Sequence, residues 1–239
     1  MRDMKLFAEI TVEFDKVFKT TAILSYPQIE TKYQEKEKLG KVAPFVKDKI
    51  SVSVIDTITY VSTENMLQNR CGIAPYEGTP NIDKVTAYKQ GDILISNIRP
   101  YLKKVWMATH DGGCSNDVLV FRNQTPSTLL NEYLYCLLSS DLFFDYMMVG
   151  KTGVKMPRGD KKMIPNFEIP IPPKSVQLKI AEECAEVDKK CMQAKLCIAH
   201  NQQAIIDLYE DIETRPLPQK TMGKLCELNP SKSELSFQD

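Results

Sequence analysis

The chain of 239 residues balances 31 Lys and Arg against 31 Asp and Glu, and 43% of its residues are hydrophobic. These values are typical of a globular chain with room for one good-sized domain and further segments. The most apolar stretch, 133–149, is interrupted by Asp141 and Asp145, so we expect no membrane-spanning segment. Zero net charge excludes a uniformly basic surface, and any anion-binding face has to be local.

The cysteines and histidines give little sign of metal or redox chemistry. Seven cysteines include no C-x-x-C pair, and no signal peptide precedes them, which favours a reducing cytoplasmic location. His110 and His200 have no set of Cys or carboxylate residues at metal-ligand spacing around them. We therefore expect no metal site and no cofactor.

Residues 1–38 are charged and weakly periodic. Phe7, Ile10, Phe14 and Val17 have helical spacing, and Tyr26-Pro27 ends the pattern. This segment predicts a short helix and a linker, and its residues indicate no function.

Strand-like segments predominate from residue 39 onward. Residues 49–61 are rich in Val, Ile and Thr, and apolar runs at 92–96, 105–108 and 118–121 predict three further strands. The sequence His110-Asp111-Gly112-Gly113 is typical of a turn between the last two. Residues 39–173 are therefore expected to form the main globular domain.

Helices are expected to follow these strands. Residues 129–149 predict one or two helices, with a break and an N-cap at Ser140-Asp141. The complete chain thus has an α+β pattern.

A long loop is predicted at 69–83, where two glycines and two prolines interrupt the chain. Loops of this length in compact domains are often functional. Arg70, Tyr76 and Asn81 are its candidate ligand contacts. A solvated excursion with no ligand stays open as the alternative.

Two further loops are basic. Residues 97–104 reverse the chain between two predicted strands and hold Arg99, Lys103 and Lys104 beside Tyr101. Residues 150–162, GKTGVKMPRGDKK, combine three glycines with five cations, and such a loop can bring backbone amides and positive charge to a phosphate. No nucleotide-binding glycine motif is present, so a polyanion track is the better functional interpretation. An exposed charged loop without a ligand is the alternative.

A long helix is predicted over 174–215, which contains no proline or glycine and follows Pro172-Pro173. Its length of about 60 Å is too great to pack wholly against one small domain. Apolar or small residues recur at alternating intervals of four and three, which predicts a coiled-coil seam. The seam positions are Ile180, Cys184, Val187, Cys191, Ala194, Ile198, Asn201, Ile205, Leu208 and Ile212. The alternative is an amphipathic helix lying on its own domain.

Residues 216–239 begin with Pro216 and Pro218, which favour a linker. The following segment 221–226 echoes residues 38–43, so it is interpreted as the start of a second, truncated domain.

Three passages together resemble one known family. They are GDILISNIRPYLKK at 91–104, KMPRGDKKMIPNFEIPIPPKSVQLKIAEE at 155–183, and the heptad helix that follows. From residue 39 onward the chain resembles the specificity (S) subunit of type I restriction-modification systems. The second passage is the most specific, since it joins a basic loop, Ile-Pro-Ile-Pro-Pro, Gln177 and a long helix.

The resemblance implies an α/β target recognition domain over 39–173 and a spacer or dimerisation helix over 174–215. Its implied partners are double-stranded DNA, methyltransferase (M) subunits and, indirectly, restriction (R) subunits. The chain departs from the family pattern by holding one complete recognition domain. Separately, the heptad seam predicts a homodimer formed through 180–212, which would restore a second half by two-fold symmetry. Whether it is a truncated form or a natural half-length subunit stays open.

Cations on the loops are expected to hold phosphates, while donors and acceptors on protruding loops are expected to contact bases. The candidate DNA contacts are Arg70, Tyr76, Asn81, Arg99, Tyr101, Lys103, Lys104, Asn116, Lys151, Lys155, Arg158, Lys161 and Lys162.

We expect no intrinsic catalysis. Pro172-Pro173 lacks the Asn or Asp and the aromatic residue of an adenine methyltransferase loop, and a nuclease-like pattern of Asp15 with Glu30-Thr31-Lys32 lies in the weakly structured N-terminal segment. Two alternative functions stay open. In the first, the chain would be the recognition portion of a fused methyltransferase-restriction enzyme. In the second, it would be a coiled-coil interaction protein with no DNA role.

Overall fold

A computed structural model of the chain describes residues 35–214 without Thr79, Asn81, Thr152, Val154 and Lys155, and without the side chains of Lys195, Ile212, Glu213 and Thr214. The predicted N-terminal helix and the predicted truncated domain at 216–239 lie outside the described residues. Internal contacts divide the chain into two units, Met1–Lys189 and Lys190–Asp239.

The described residues contain nine short strands and four helices. The strands are β1 (Lys36–Lys38), β2 (Lys49–Ser51), β3 (Tyr60–Val61), β4 (Lys84–Tyr88), β5 (Ile93–Ser96), β6 (Val105–Met107), β7 (Gly112–Cys114), β8 (Val118–Phe121) and β9 (Glu168–Pro170). The helices are α1 (Leu39–Val42), α2 (Asn131–Leu138), α3 (Asp141–Val149) and α4 (Lys174–Thr214).

The strands form three small sheets, ordered β1-β9, β2-β4-β7-β3 and β6-β5-β8. All pairs are antiparallel except β3 and β7, which run parallel. Strand β5 is central in its sheet and pairs Ile93 with both Met107 and Phe121. All four residues of β5 and all four of β8 are buried, which explains their continuous apolar sequences.

The main core lies where α2 and α3 pack against β5 and β8. Phe143 of α3 meets Phe121 of β8 and Phe167 edge-on, with ring centroids 6.2 and 5.0 Å apart. Leu39 and Tyr133 are fully buried in the same cluster. Ser140 caps α3 as predicted, since its hydroxyl accepts a hydrogen bond from the backbone N–H of Phe143.

The predicted turn at 110–113 is wrong in its second half. Gly112 and Gly113 belong to β7, which lies between β4 and β3. A Cβ atom on Gly112 would lie 2.3 Å from the carbonyl oxygen of Thr59, and one on Gly113 would lie 2.5 Å from Val85. The glycines therefore permit close strand packing rather than a tight turn.

The extended segment predicted at 49–61 is present only at its two ends, as β2 and β3. Between them, Val52–Val54 forms a 3-10 turn. The Asp56 carboxylate then accepts hydrogen bonds from the backbone N–H groups of Ile58 and Thr59, at 3.0 and 2.7 Å. The side chain of Asp56 thus interrupts a stretch whose composition favours a strand.

The folded domain begins earlier than the predicted boundary at residue 39. Strand β1 pairs Lys36 with Pro170 and Lys38 with Glu168 of β9. Strand β1 lies in the segment predicted to be a linker. The sequence did not predict a strand there because alternating Glu and Lys residues give no strand signal.

The long helix is confirmed, with bounds Lys174–Thr214. Its first turns belong to the domain, since Gln177, Ile180 and Ala181 are buried and Ile180 is part of the main core. Cys184 packs against the same core. The side chains of Ile180 and Cys184 thus contact their own domain, and their assignment to an oligomerisation seam stays a prediction.

Within the described residues, no helix is both long enough and apolar enough to cross a membrane.

Candidate nucleic-acid interface

Three loops that the sequence marked separately lie together. The backbone N–H groups of Asn69 and Arg70 donate to the carbonyl oxygens of Leu102 and Lys103, each at 2.9 Å. These two hydrogen bonds join the start of the 69–83 loop to the 97–104 turn.

The third loop contacts the start of the same turn. The backbone N–H of Arg99 donates to the carbonyl oxygen of Pro157 at 2.7 Å, and that of Gly159 donates to Asn97 at 3.3 Å. Ile98 and Arg158 form an isolated antiparallel bridge. Residues 67–70, 97–104 and 156–162 thus form one surface, which we call the basic loop surface.

Backbone strain is concentrated on this surface. The non-glycine residues with positive φ in the described chain are Asn69 (54°), Arg70 (61°), Arg99 (50°) and Lys103 (50°), and all four lie in the two paired loops. L-residues rarely adopt this left-handed region, and residues held there cluster at functional sites. The loop pairing holds three cations in conformations that an isolated chain would disfavour.

Asp141, at the start of α3, holds two of these cations. Its Oδ1 atom accepts hydrogen bonds from Lys103 Nζ, at 2.7 Å, and from Arg70 Nη2. Arg70 Nε also donates to the carbonyl oxygen of Ser139. Partial burial raises the pKa of Asp141, but the hydrogen bonds from Lys103 and Arg70 outweigh it and hold that pKa below its usual range.

Arg158 is also paired with a carboxylate. Its Nε and Nη2 atoms lie 3.2 and 3.3 Å from the two oxygens of Asp117. Both side chains are substantially exposed, so the pair contributes at most about 1 kcal/mol and can exchange with another anion.

Lys104 is held by a neutral oxygen, since its Nζ donates to the carbonyl oxygen of Thr63 at 2.6 Å. Burial and the charge of Arg99 lower the pKa of Lys104, while the Glu64 carboxylate acts in the opposite direction. Tyr101, which is 50% exposed, lies in the same turn.

Asn97 is the first residue of the turn and is 2% exposed. Its Oδ1 atom has no hydrogen-bond partner among the described residues. A Cβ atom on Gly159 would lie 3.0 Å from this oxygen. Gly159 therefore allows the 156–162 loop to approach the 97–104 turn closely.

Asn116 accepts hydrogen bonds from two lysines, Lys161 and Lys49. Lys161 Nζ donates to the carbonyl oxygen of Asn116 at 3.2 Å, and Lys49 Nζ donates to the Asn116 side chain. Lys49 was not among the residues selected from the sequence, because it lies in a predicted strand far from the basic loops.

The remaining candidates are placed differently. Tyr76 packs edge-on against Tyr60, with ring centroids 4.7 Å apart, and its backbone N–H donates to Thr57. Lys151 and Lys162 are exposed. Asn81 and Lys155 lie outside the described residues. Every DNA-contact assignment stays a prediction.

The structure adds Asp117 and Asp141, which the sequence analysis did not select. The N-cap signal at Ser140 already placed Asp141 in the first turn of α3, but nothing in the sequence brought it to Arg70, 71 positions away. In the part of the chain that the structure describes, no group of three or more His, Cys, Asp or Glu side chains is arranged to hold a metal ion.

A family model, the type I restriction modification DNA specificity domain, matches residues 18–196. The chain belongs to this family. The family is named for specificity rather than for catalysis, in agreement with the expectation that the chain is not an enzyme.

One curated relative and two solved structures are similar to parts of the chain. The chain is 28% identical over 109 residues to the type I restriction enzyme EcoDI specificity subunit of Escherichia coli, covering 44% of this chain and 24% of the relative. The crystal structure of the HsdS subunit from Thermoanaerobacter tengcongensis is similar with a TM-score of 0.56 and 21% identity, over 79% of this chain and 51% of that subunit. The S subunit from M. genitalium matches with a TM-score of 0.48 and 12% identity, over 92% of this chain and 60% of that one.

The similarity to HsdS confirms the predicted fold class, a mixed domain followed by a long helix. The chain spans about half the length of that solved subunit and about a quarter of the curated relative it matches.

Proposed function

We propose that the chain reads one half of a two-part target in double-stranded DNA as the specificity component of a type I restriction-modification complex. The observation that carries the proposal is the convergence of three predicted polar and basic loops on one surface, inside a domain of the DNA specificity family. The proposal leaves catalysis to other subunits.

The cations of the basic loop surface fall into two groups, according to whether or not a carboxylate is their partner. Arg99 is exposed in the 97–104 turn and Lys104 is held there by a carbonyl oxygen, so both are proposed to bind backbone phosphates directly. Arg70, Lys103 and Arg158 have carboxylate partners. Their ion pairs are proposed to be exchanged for phosphates or base edges when DNA binds, since exposed pairs are weak.

Methyltransferase subunits are proposed to dock on this chain, with R subunits joining indirectly. The exposed apolar side chains of α4 support a protein partner, because Leu196, Ile198 and Leu208 are 64, 43 and 58% exposed. A group of exposed apolar side chains on one helix favours association with another protein. The same helix is proposed to pair with a second copy of the chain, which would supply the second half-site reader.

The proposal is tested by selecting from a randomised duplex pool with the purified chain, with and without its genomically adjacent methyltransferase, across a salt series. We expect enrichment of a short motif and an affinity that falls steeply as salt rises. An Arg99→Met, Lys104→Met double variant is expected to bind the same motif more weakly. The matched control is Lys174→Met, since Lys174 also donates to a neutral carbonyl oxygen, that of Pro126, at 3.0 Å.

No enrichment with the methyltransferase present would overturn the DNA-reading proposal. A chain that associates with proteins but binds no duplex at low salt would instead support the coiled-coil interaction function.

A further inference from the structure

A second basic feature lies beside β2, β4 and β8. It is an open cleft of about 380 Å³. Its lining residues are Phe45, Val46, Lys47, Lys49, Thr86, Asn116, Val118, Leu119, Val120 and Lys161. We call it the lysine cleft. Of the three lysines, Lys161 also belongs to the basic loop surface, so the two features adjoin.

The charge of the cleft is not compensated by its own lining, which includes three lysines and no carboxylate. Lys49 Nζ donates to Thr86 Oγ1 at 2.9 Å and to the side-chain oxygen of Asn116. Lys161 Nζ donates to the carbonyl oxygen of Asn116 at 3.2 Å. A lysine ammonium has three donors, so these neutral contacts orient the two amines and leave donor capacity for an anion.

Three carboxylates, those of Asp48, Asp117 and Asp160, lie next to cleft residues along the chain and contact other groups. Asp160, next to Lys161, accepts a hydrogen bond from the backbone N–H of Lys162 at 2.8 Å. Asp48, between the two cleft lysines of the same segment, has its Oδ2 atom 3.8 Å from Arg122 Nη1. Asp117, next to Asn116, binds Arg158. Within the described residues, the contacts of these three carboxylates are to Arg122, Arg158 and a backbone N–H, and not to the cleft lysines.

The other lining residues are mostly apolar. Val118 and Val120 are buried, and Phe45 is half-buried with its ring centroid 5.0 Å from that of Phe121. A ligand that suits both the lysine amines and the apolar lining has a compact anionic group beside an apolar group. The phosphodiester and deoxyribose of a DNA backbone have this combination.

We propose that the lysine cleft binds a backbone phosphate of the DNA, as a contact additional to the basic loop surface. The inference rests on the proposed function. Lys47, Lys49 and Lys161 supply the charge, and Asn116 positions two of the amines without reading a base. The contact would set the position of the duplex without contributing sequence preference.

The test compares the complete chain with the Lys49→Met, Lys161→Met double variant, and with Lys174→Met as the matched control. Affinity for the selected motif and for a scrambled duplex is measured across a salt series. The double variant is expected to weaken binding to both duplexes equally and to reduce the slope of log affinity against log salt by about one, for the one phosphate that the cleft binds. Lys49→Arg, Lys161→Arg is expected to retain most of the wild-type slope.

The outcomes separate the two proposals. A wild-type slope in the double variant, with wild-type motif selection intact, would overturn the cleft and leave the proposed function standing. Loss of motif preference instead of uniform weakening would overturn the phosphate assignment, because it would indicate base contacts. Failure of the wild-type chain to bind any duplex would overturn both.

Two further measurements keep the test decisive. If the double variant loses its native circular dichroism spectrum, Lys47→Met replaces it, since Lys47 is exposed and lies at the cleft rim. Inorganic phosphate is added at constant ionic strength as a competitor. If it binds wild type and not the variant while the DNA salt slopes are equal, the cleft serves free phosphate and the proposal fails.

Discussion

Gln177 accepts a hydrogen bond from the backbone N–H of Leu130 at 2.9 Å and thereby joins the first turn of α4 to the N-cap of α2. Its amide nitrogen donates to the carbonyl oxygens of Thr128 and Pro172, both at 2.8 Å. Gln177 is fully buried. One side chain thus ties the long helix, the proline segment before it and the start of α2 together.

Replacing Gln177 with Met is expected to destabilise the domain. The variant leaves the Leu130 N–H without its acceptor and two buried carbonyls without a donor, which should lower the free energy of unfolding by about 2–4 kcal/mol. Urea unfolding followed by tryptophan fluorescence measures the loss. The control is Leu178→Ala, because Leu178 is 52% exposed on the same turn, and its change should stay within about 0.5 kcal/mol. Equal losses in the two variants would contradict the assignment.

Gly112→Ala is expected to disrupt the four-stranded sheet. The new methyl group would lie 2.3 Å from the Thr59 carbonyl oxygen and 2.4 Å from Tyr88 Oη, and backbone cannot yield as a flexible side chain does. We expect a loss of at least about 2 kcal/mol in unfolding free energy. Thr109→Ala, at a nearby exposed position, is the control. If Gly112→Ala had the wild-type free energy of unfolding, the close approach of residue 112 to Thr59 would not be needed for stability.

The sequence predicted the fold best where local signals agree. Apolar runs marked β5, β6 and β8, Ser140 marked the α3 cap, and the proline segment marked the start of α4. Gly112 misled the prediction because glycine serves both tight turns and close strand packing, and only the position of Thr59 decides between them. Strand β1 was missed because its pairing with β9 is set by tertiary contact and not by its own residues.

The sequence predicted the cationic side chains of the candidate surface but not the carboxylates that pair with them. Basic loops are visible as clusters in the sequence, whereas the partner of Arg70 comes from a helix 71 positions away. Lys49 was missed for the same reason, since its neighbours Asn116 and Lys161 are brought to it by the fold. Sequence spacing therefore identified the loops that converge, but did not indicate how their charges are compensated.

Asp141→Asn is expected to raise affinity for duplex DNA of any sequence. The change removes the carboxylate that holds Arg70 and Lys103 and frees both cations for phosphates. Because the Asp141 side chain is 64% exposed, we expect less than about 1 kcal/mol loss of stability. Affinity for a scrambled duplex at low salt is the measurement, and Asp145→Asn, an exposed acid of the same helix, is the control. Equal gains in both variants would indicate only a change in net charge.

The same pairing predicts a pH effect. The pKa of Asp141 is lowered in the folded chain, so its contribution to stability is complete above the usual Asp range, near pH 4, and is lost as pH falls through the lowered pKa. Unfolding midpoints of wild type and Asp141→Asn should therefore differ at pH 6 and converge at low pH. A difference that persists below the lowered pKa would assign the stability change to another contact.

Ile205→Asp is expected to abolish self-association of the chain. Ile205 is 54% exposed at a seam position of the second unit, and an aspartate there would place a charge in the proposed helix pair. Light scattering at about 50 µM, where a dimer with a Kd of about 1 µM is mostly associated, should give a dimer for wild type and a monomer for the variant. Leu196→Asp is the matched control, since Leu196 is 64% exposed and lies off the seam. A wild-type monomer, or equal disruption by both variants, would reject the seam.

Asn201 gives an independent check of the same seam. It is exposed, and its amide nitrogen lies 3.7 Å from Cys197 Sγ one turn earlier, so the amide makes no strong contact within its own helix. In a helix pair, a buried amide lowers stability and fixes the register of the partner helix. Asn201→Leu should therefore raise the melting temperature at concentrations where the chain is a dimer and should add oligomers other than the dimer. An Asn201→Leu variant with the wild-type melting temperature, at concentrations where wild type is a dimer, would place Asn201 outside the seam. A wild-type melting temperature that does not change on dilution would show that the chain does not associate.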